Sequence, residues 1–252
     1  MAKQYGNAPL GGTILNTTYA RTRNGYVAKE RTRMNKAMMD ANPAFQALRD
    51  QSKEFTLATR ATKLVNFSFS EILKHAKDKR MSTRLTSLFN KVIKMDQINP
   101  RGKRNVLDGE LELLTGFEFN EQVSLSNTLA KTPEISIDRA TGEIKLALES
   151  FVPATGLTFP PMSTHFKICL AAGLLDFEKE EKESKTAESD YLEISREPIP
   201  ATNITLNLSP DSDLPLLVVC KISFVNEVNG IKEVAGWGSF TACKLVKVDT
   251  GV

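Results

Sequence analysis

The chain has 252 residues, of which 41% are hydrophobic and 25% charged, with 33 Lys plus Arg, 30 Asp plus Glu, two histidines and three cysteines. That balance is ordinary for a globular protein and excludes a fibrous repeat or a globally disordered chain; no stretch nears the roughly 18 consecutive apolar residues of a membrane span. The charge is split along the length: residues 1–106 hold 21 basic and 7 acidic side chains, net +14, and the remainder 12 and 23, net −11. Two such halves attract each other, either within one molecule or head to tail between molecules.

The opening MAKQYGNAPLGG has no apolar run of the kind a secretory signal needs, so synthesis in the cytoplasm is expected, with the final location left open between a cytoplasmic assembly and a released particle. Thr13 to Arg33 reads as a β-hairpin around Asn24-Gly25, because both central residues of a type I′ turn take positive φ. Its strands carry Arg21, Arg23, Lys29, Arg31 and Arg33 beside Tyr26, with few apolar partners. An isolated two-stranded ribbon is marginal in water, so this one is expected to lie on something else, in its own molecule or a neighbour. Asn42-Pro43 is a helix cap followed by a first-turn proline, and Phe45, Leu48, Phe55, Ala58, Thr62 and Val65 then recur at mostly three- and four-residue steps. Ser68 to Glu71 reads as a capping box for a short helix through Ile72, Leu73 and Ala76. After Ser82 the series Leu85, Leu88, Phe89, Val92, Ile93 predicts an amphipathic helix. Asn99-Pro-Arg101-Gly-Lys103-Arg104 is a turn-rich basic connector, and Val106 to Leu114 is an ambiguous apolar segment.

From Phe117 the period changes to two. Pro133–Asp138 and Glu143–Leu148 flank a turn; His165–Leu170, Asn203–Leu208, the apolar run Leu216–Val225, and segments around Ile231–Val234 and Phe240–Val248 follow. The charged tract Asp176–Glu188 reads as an exposed loop or edge. The fold class expected is α+β: a basic β-hairpin and helical layer over residues 1–116, then an acidic, antiparallel, immunoglobulin-like β-sandwich over residues 117–252.

No constellation for catalysis is legible. A Gly-x-Ser-x-Gly elbow, a Walker loop, a dinucleotide fingerprint and a paired Cys-x-x-Cys are all missing from the sequence, so neither an enzyme nor a cofactor or metal site is expected. Cys169, Cys220 and Cys243 sit in apolar strand-like runs and read as buried thiols. The residues expected to make contacts are instead Arg21, Arg23, Tyr26, Lys29, Arg31 and Arg33 of the hairpin, with Lys77, Lys79, Arg80, Arg101, Lys103 and Arg104 of the helical part. These cations are spread over several elements rather than one stripe, and Phe67, Phe69 and Phe89 lie at core spacing, so self-association is favoured over phosphate binding. The function expected is a structural, self-assembling homo-oligomer, a polymer, filament, tube or virion-like shell held by contacts between basic and acidic domains. A nucleic-acid-binding protein and a monomeric adaptor are the alternatives.

The stretches Pro43–Arg49, Arg101-Gly-Lys-Arg-Asn-Val-Leu-Asp-Gly109, Gly116-Phe-Glu-Phe119, Ile137-Asp-Arg-Ala-Thr-Gly142, Thr164-His-Phe-Lys167 and Leu245-Val-Lys-Val-Asp249 resemble a group of uncharacterised Bacteroidota proteins of similar length. That resemblance covers most of the chain and implies bacterial origin but no activity. The opening Gly-Gly, hairpin and Gly-Tyr-Val are also similar to N-terminal modules of presumed phage or mobile-element structural proteins.

Overall fold

A computed structural model describes residues 2–3, 10–23, 25–30, 36–238 and 240–251. The chain forms two compact units, Met1–Arg49 and Asp50–Val252. The charge step counted at residue 106 falls inside the second unit, where residues 50–106 hold 13 basic and 5 acidic side chains and residues 107–252 hold 12 and 23. The first unit holds 8 basic and 2 acidic side chains, net +6, and the second 25 and 28, net −3.

In the first unit, β1 (Ala2–Lys3), β2 (Gly12–Ile14), β3 (Thr17–Thr22) and β4 (Gly25–Glu30) form an antiparallel sheet of order β1-β4-β3-β2. β3 and β4 pair from Thr17↔Glu30 to Thr22↔Gly25, and Gly25 has a φ of 111°, backbone that glycine adopts without cost. A short helix, α1 (Lys36–Ala41), leads to a 3-10 turn over Pro43–Phe45. Asn42 caps that turn, its Oδ1 accepting the Ala44 N–H at 2.9 Å, so the Asn-Pro signal marks a real start. None of the described residues between 10 and 49 is buried. Arg31 and Arg33 lie outside the described residues.

The second unit is built in three layers. α2 (Gln46–Ser68) and α3 (Met81–Lys94) form the first; they run antiparallel, with Thr62 bonded to Thr86 at 3.0 Å and Asn66 to Ser82 at 3.3 Å. The capping-box helix expected after Ser68 is not formed: α2 runs through Ser68, whose hydroxyl bonds back to Leu64 O at 2.7 Å, and turns follow to residue 75. After a 3-10 turn, Leu111–Leu114, and a short helix, α4 (Leu125–Thr128), come β5 (Glu134–Asp138) and β6 (Glu143–Leu148). A single turn, α5 (Pro153–Gly156), precedes β7 (His165–Asp176), β8 (Glu181–Glu188), β9 (Leu192–Glu193), β10 (Thr202–Asn207), β11 (Leu216–Val228), β12 (Ile231–Val234) and β13 (Ala242–Asp249). β10-β6-β5 is a three-stranded sheet; the other six form a second antiparallel sheet in which β11 pairs β7 on one side and β12 and β13 on the other.

The six-stranded sheet is the middle layer, and the alternation of its side chains makes two cores. On β7 and β11, Cys169, Ala171, Leu175, Leu217 and Val219 face the helices, joining Val65, Phe69, Leu85, Phe89 and Val92. Their neighbours Ile168, Leu170, Ala172, Val218, Cys220 and Ile222 face the small sheet, joining Ile144, Leu146, Ile204 and Leu206. Burial on both faces is why Leu216–Cys220 and Leu170–Leu175 read as nearly continuous apolar runs. Gly173 makes room for a ring at this junction, since a Cβ there would lie 3.3 Å from Phe69 Cζ. Each fully buried Phe or Leu contributes about 1.5–3 kcal/mol, so the second unit carries its own core.

The turn joining β5 to β6 is sterically exacting. Gly142 has a φ of 72°, and a Cβ there would stand 2.2 Å from Leu208 O. Gly142→Ala is expected to destabilise the second unit by at least about 2 kcal/mol, from backbone strain and the clash together, read as a lower urea midpoint with an unchanged slope.

Candidate functional site

The cations expected to make contacts fall into three separate groups. On the first sheet, Arg21 stands opposite Tyr26, with its guanidinium 5.8 Å from the ring centroid. Register places Lys29 opposite Thr18 on the other face, and Arg23 is in the turn. The register therefore places Arg21 and Lys29 on opposite faces of the sheet.

Lys77, Lys79 and Arg80 occupy an exposed turn before α3. Asp78 fixes that turn: its carboxylate accepts the N–H of Arg80 at 2.6 Å and of Glu121 at 3.0 Å, and pairs with the Arg84 guanidinium. Arg84 also donates to Glu118 O at 2.9 Å and covers the Phe117 ring at 5.0 Å, which ties α3 to the chain entering the sheet. The third group lies past the other end of α3, a helix of 14 residues and hence roughly 21 Å long. The two basic groups of the helical layer thus flank opposite ends of α3.

The third group, Arg101, Lys103 and Arg104, rides on a loop held by buried acids. Asp96 is 2% exposed; its Oδ1 accepts the N–H of Ile98 at 2.8 Å and of Asn99 at 2.9 Å, and its Oδ2 the N–H of Asn105 at 3.1 Å and the Asn99 amide at 3.0 Å. Glu54 of α2, also buried, accepts the Gly102 N–H at 2.9 Å. Gly102 has a φ of 83° and abuts Asp50, whose Oδ1 would lie 2.3 Å from an added Cβ. The sequence reading named the three cations and missed the three acids that shape their loop.

Several opposite charges are paired within one chain. Arg60 of α2 lies 3.6 Å from Glu180, and Arg84 3.6 Å from Glu121. Lys182 of β8 donates to Phe67 O at 3.0 Å with its ammonium 4.0 Å from the Phe67 ring. Arg139, in the β5–β6 turn, is a further staple, donating to Leu214 O at 2.8 Å and pairing with Asp249 at 2.7 Å.

Burial pushes the carboxyls of Asp78, Asp96 and Asp249 up, but hydrogen bonds and, for Asp78 and Asp249, an arginine outweigh it, and all three end below their usual 3.8. Such groups contribute stability that is full above the unfolded value and is lost as pH falls through the lower folded value. Glu118 runs the other way. Burial raises it above 4.5 against Lys244 and the Leu125 N–H, so its contribution falls as pH rises through that window. Glu149, Asp176 and Glu188 are lowered as well, by hydrogen bonds from Lys131, the Lys179 N–H and Lys167; with six carboxyls lowered against one raised, the urea midpoint is expected to rise with pH between about 2 and 5 and then flatten, and Asp96→Asn should make that rise shallower.

Cys169, Cys220 and Cys243 are free and buried. Burial pushes Cys169 and Cys220 up to about 12 and Cys243 well above its usual value, which keeps them as thiols at neutral pH. Among the described residues no three His, Cys, Asp or Glu side chains converge, and no helix is long and apolar enough to cross a membrane. No family model matches the chain, and neither a curated protein nor a solved structure matches it.

Proposed function

We propose that the protein is a self-assembling structural subunit in which the first unit of one copy docks head to tail on the second unit of the next. The observation that carries this reading is a four-stranded sheet in which none of the described residues from 10 to 30 is buried. Ordering a residue costs about 1–2 kcal/mol of backbone entropy, and burial is the main force that offsets it. Here Ile14 and Leu15 are 48% and 92% exposed, so the sheet gains its missing burial from another molecule.

Charge supports the same partner. The first unit carries net +6 and the second net −3, and the acceptor we assign is β8, a strand at the edge of the six-stranded sheet whose sequence EKESKTAE follows Glu178 and Glu180. An edge strand offers unpaired backbone groups as well as side chains. A contact between two different surfaces repeats from copy to copy unless it closes, which gives a filament, tube or shell. The likeness to mobile-element structural proteins and the immunoglobulin-like reading of the two packed sheets are consistent with this role.

Light scattering tests the reading. At about 50 mM salt the mass is expected to be several times the 27.9 kDa of one chain, and to fall as ionic strength rises and the Debye length shortens from about 14 Å to a few ångströms. A mass of one chain at every concentration and salt would contradict it.

A further inference from the structure

We infer that a cleft between the two sheets is a binding site for a small carboxylate with a compact apolar body. It has a volume of about 290 Å³ and opens where β5 and β13, on different sheets, leave a gap floored by α4. Leu125, Leu129, Ile135 and Val246 line it as an apolar wall, with Ser126 and Thr132 adding hydroxyls. Among the described residues Lys244 is the one charged side chain of the lining. Sites for small ligands are mostly apolar, with a few placed polar groups that fix orientation, and this volume is at the small end of their range.

The wiring of Lys244 assigns the ligand's charge. Its ammonium lies 3.2 Å from Ser126 Oγ and 3.6 Å from Glu118 Oε1. Glu118 in turn accepts the Leu125 N–H at 3.2 Å through Oε1 and 3.3 Å through Oε2, so its negative charge is shared with the first turn of α4. The ammonium has three donors and keeps one for a ligand oxygen. An anion there is drawn by the lysine, and its apolar body meets the leucine and isoleucine wall.

The test uses the full chain labelled with ¹⁵N, with sodium hexanoate as probe and 1-hexanol as its uncharged counterpart. Hexanoate is expected to shift the amide signals of Gly116, Ser126 and Lys244 and to saturate with a Kd below about 10 mM. Thr132→Trp, at an exposed position of the mouth, should fill the cleft and abolish binding of both probes. Lys244→Met should weaken hexanoate at least about tenfold while leaving 1-hexanol within about twofold. Absence of saturable shifts, undiminished binding by Thr132→Trp, or equal hexanoate affinity in Lys244→Met would each overturn the site. Should Lys244→Met fail to fold, the Thr132→Trp comparison decides alone.

Discussion

Removing residues 1–33 is expected to convert the assembled protein to a monomer while shifting its thermal midpoint by less than about 5 °C. The reasoning starts from burial. Among the described residues both apolar cores lie between residues 58 and 248, so deletion takes none of those buried side chains. What it removes is a cationic sheet with exposed Ile14 and Leu15, whose ordering must be offset by contacts elsewhere. Light scattering and a thermal melt on the same sample separate the two effects. A truncated protein that still assembles would show the sheet to be dispensable, and one that unfolds would show it to belong to the folding unit.

The largest effect of a single side chain is expected at Asp96. Replacing it with alanine leaves the N–H groups of Ile98, Asn99 and Asn105 without the acceptor they now share. Each such bond to a charged acceptor is worth about 1.5–3 kcal/mol and an unsatisfied buried donor costs a similar amount. Some donors regain water once the loop loosens, so the net loss is expected at about 3–5 kcal/mol, or a fall of roughly 10 °C in Tm. Asp96→Asn keeps an acceptor oxygen and should lose less than half of that. Equal stability of the alanine variant and the native chain would mean that the loop is not held as described. Because the loop carries Lys103 and Arg104, amide exchange over residues 98–105 should quicken in the same variant.

Much of the second unit was legible because its periodicities are physical consequences of burial. The stripe Leu85, Phe89, Val92 is α3, and the run Leu216–Val225 is the core of β11. The three-layer order was harder to read, although continuous apolar runs in two strands are a signal that both faces are covered. β8 was obscured because an edge strand with one solvated side can be charged at most positions, and EKESKTAE has no apolar alternation to betray it. Asp96, Asp50 and Glu54 were missed for a related reason. A carboxylate near lysines reads as a solvated charge, and only its burial among backbone donors, which sequence does not display, makes it a structural centre. The charge split was visible in full, but whether it is met within one molecule or between molecules is not legible in a sequence. Helices with an excess of lysine and arginine share a core with the acidic sheet, so part of the opposition is spent within one chain and the remainder resides in residues 1–49.

The most direct test is intermolecular cross-linking of an equimolar mixture of ¹⁴N- and ¹⁵N-labelled full chains with a reagent joining lysines to carboxylates. Head-to-tail docking predicts mixed-isotope pairs linking Lys29 to the acidic side chains of β8, and their loss after deletion of residues 1–33. Cross-links from Lys29 that join only residues of the same isotope would place the first unit on its own chain and contradict the assembly.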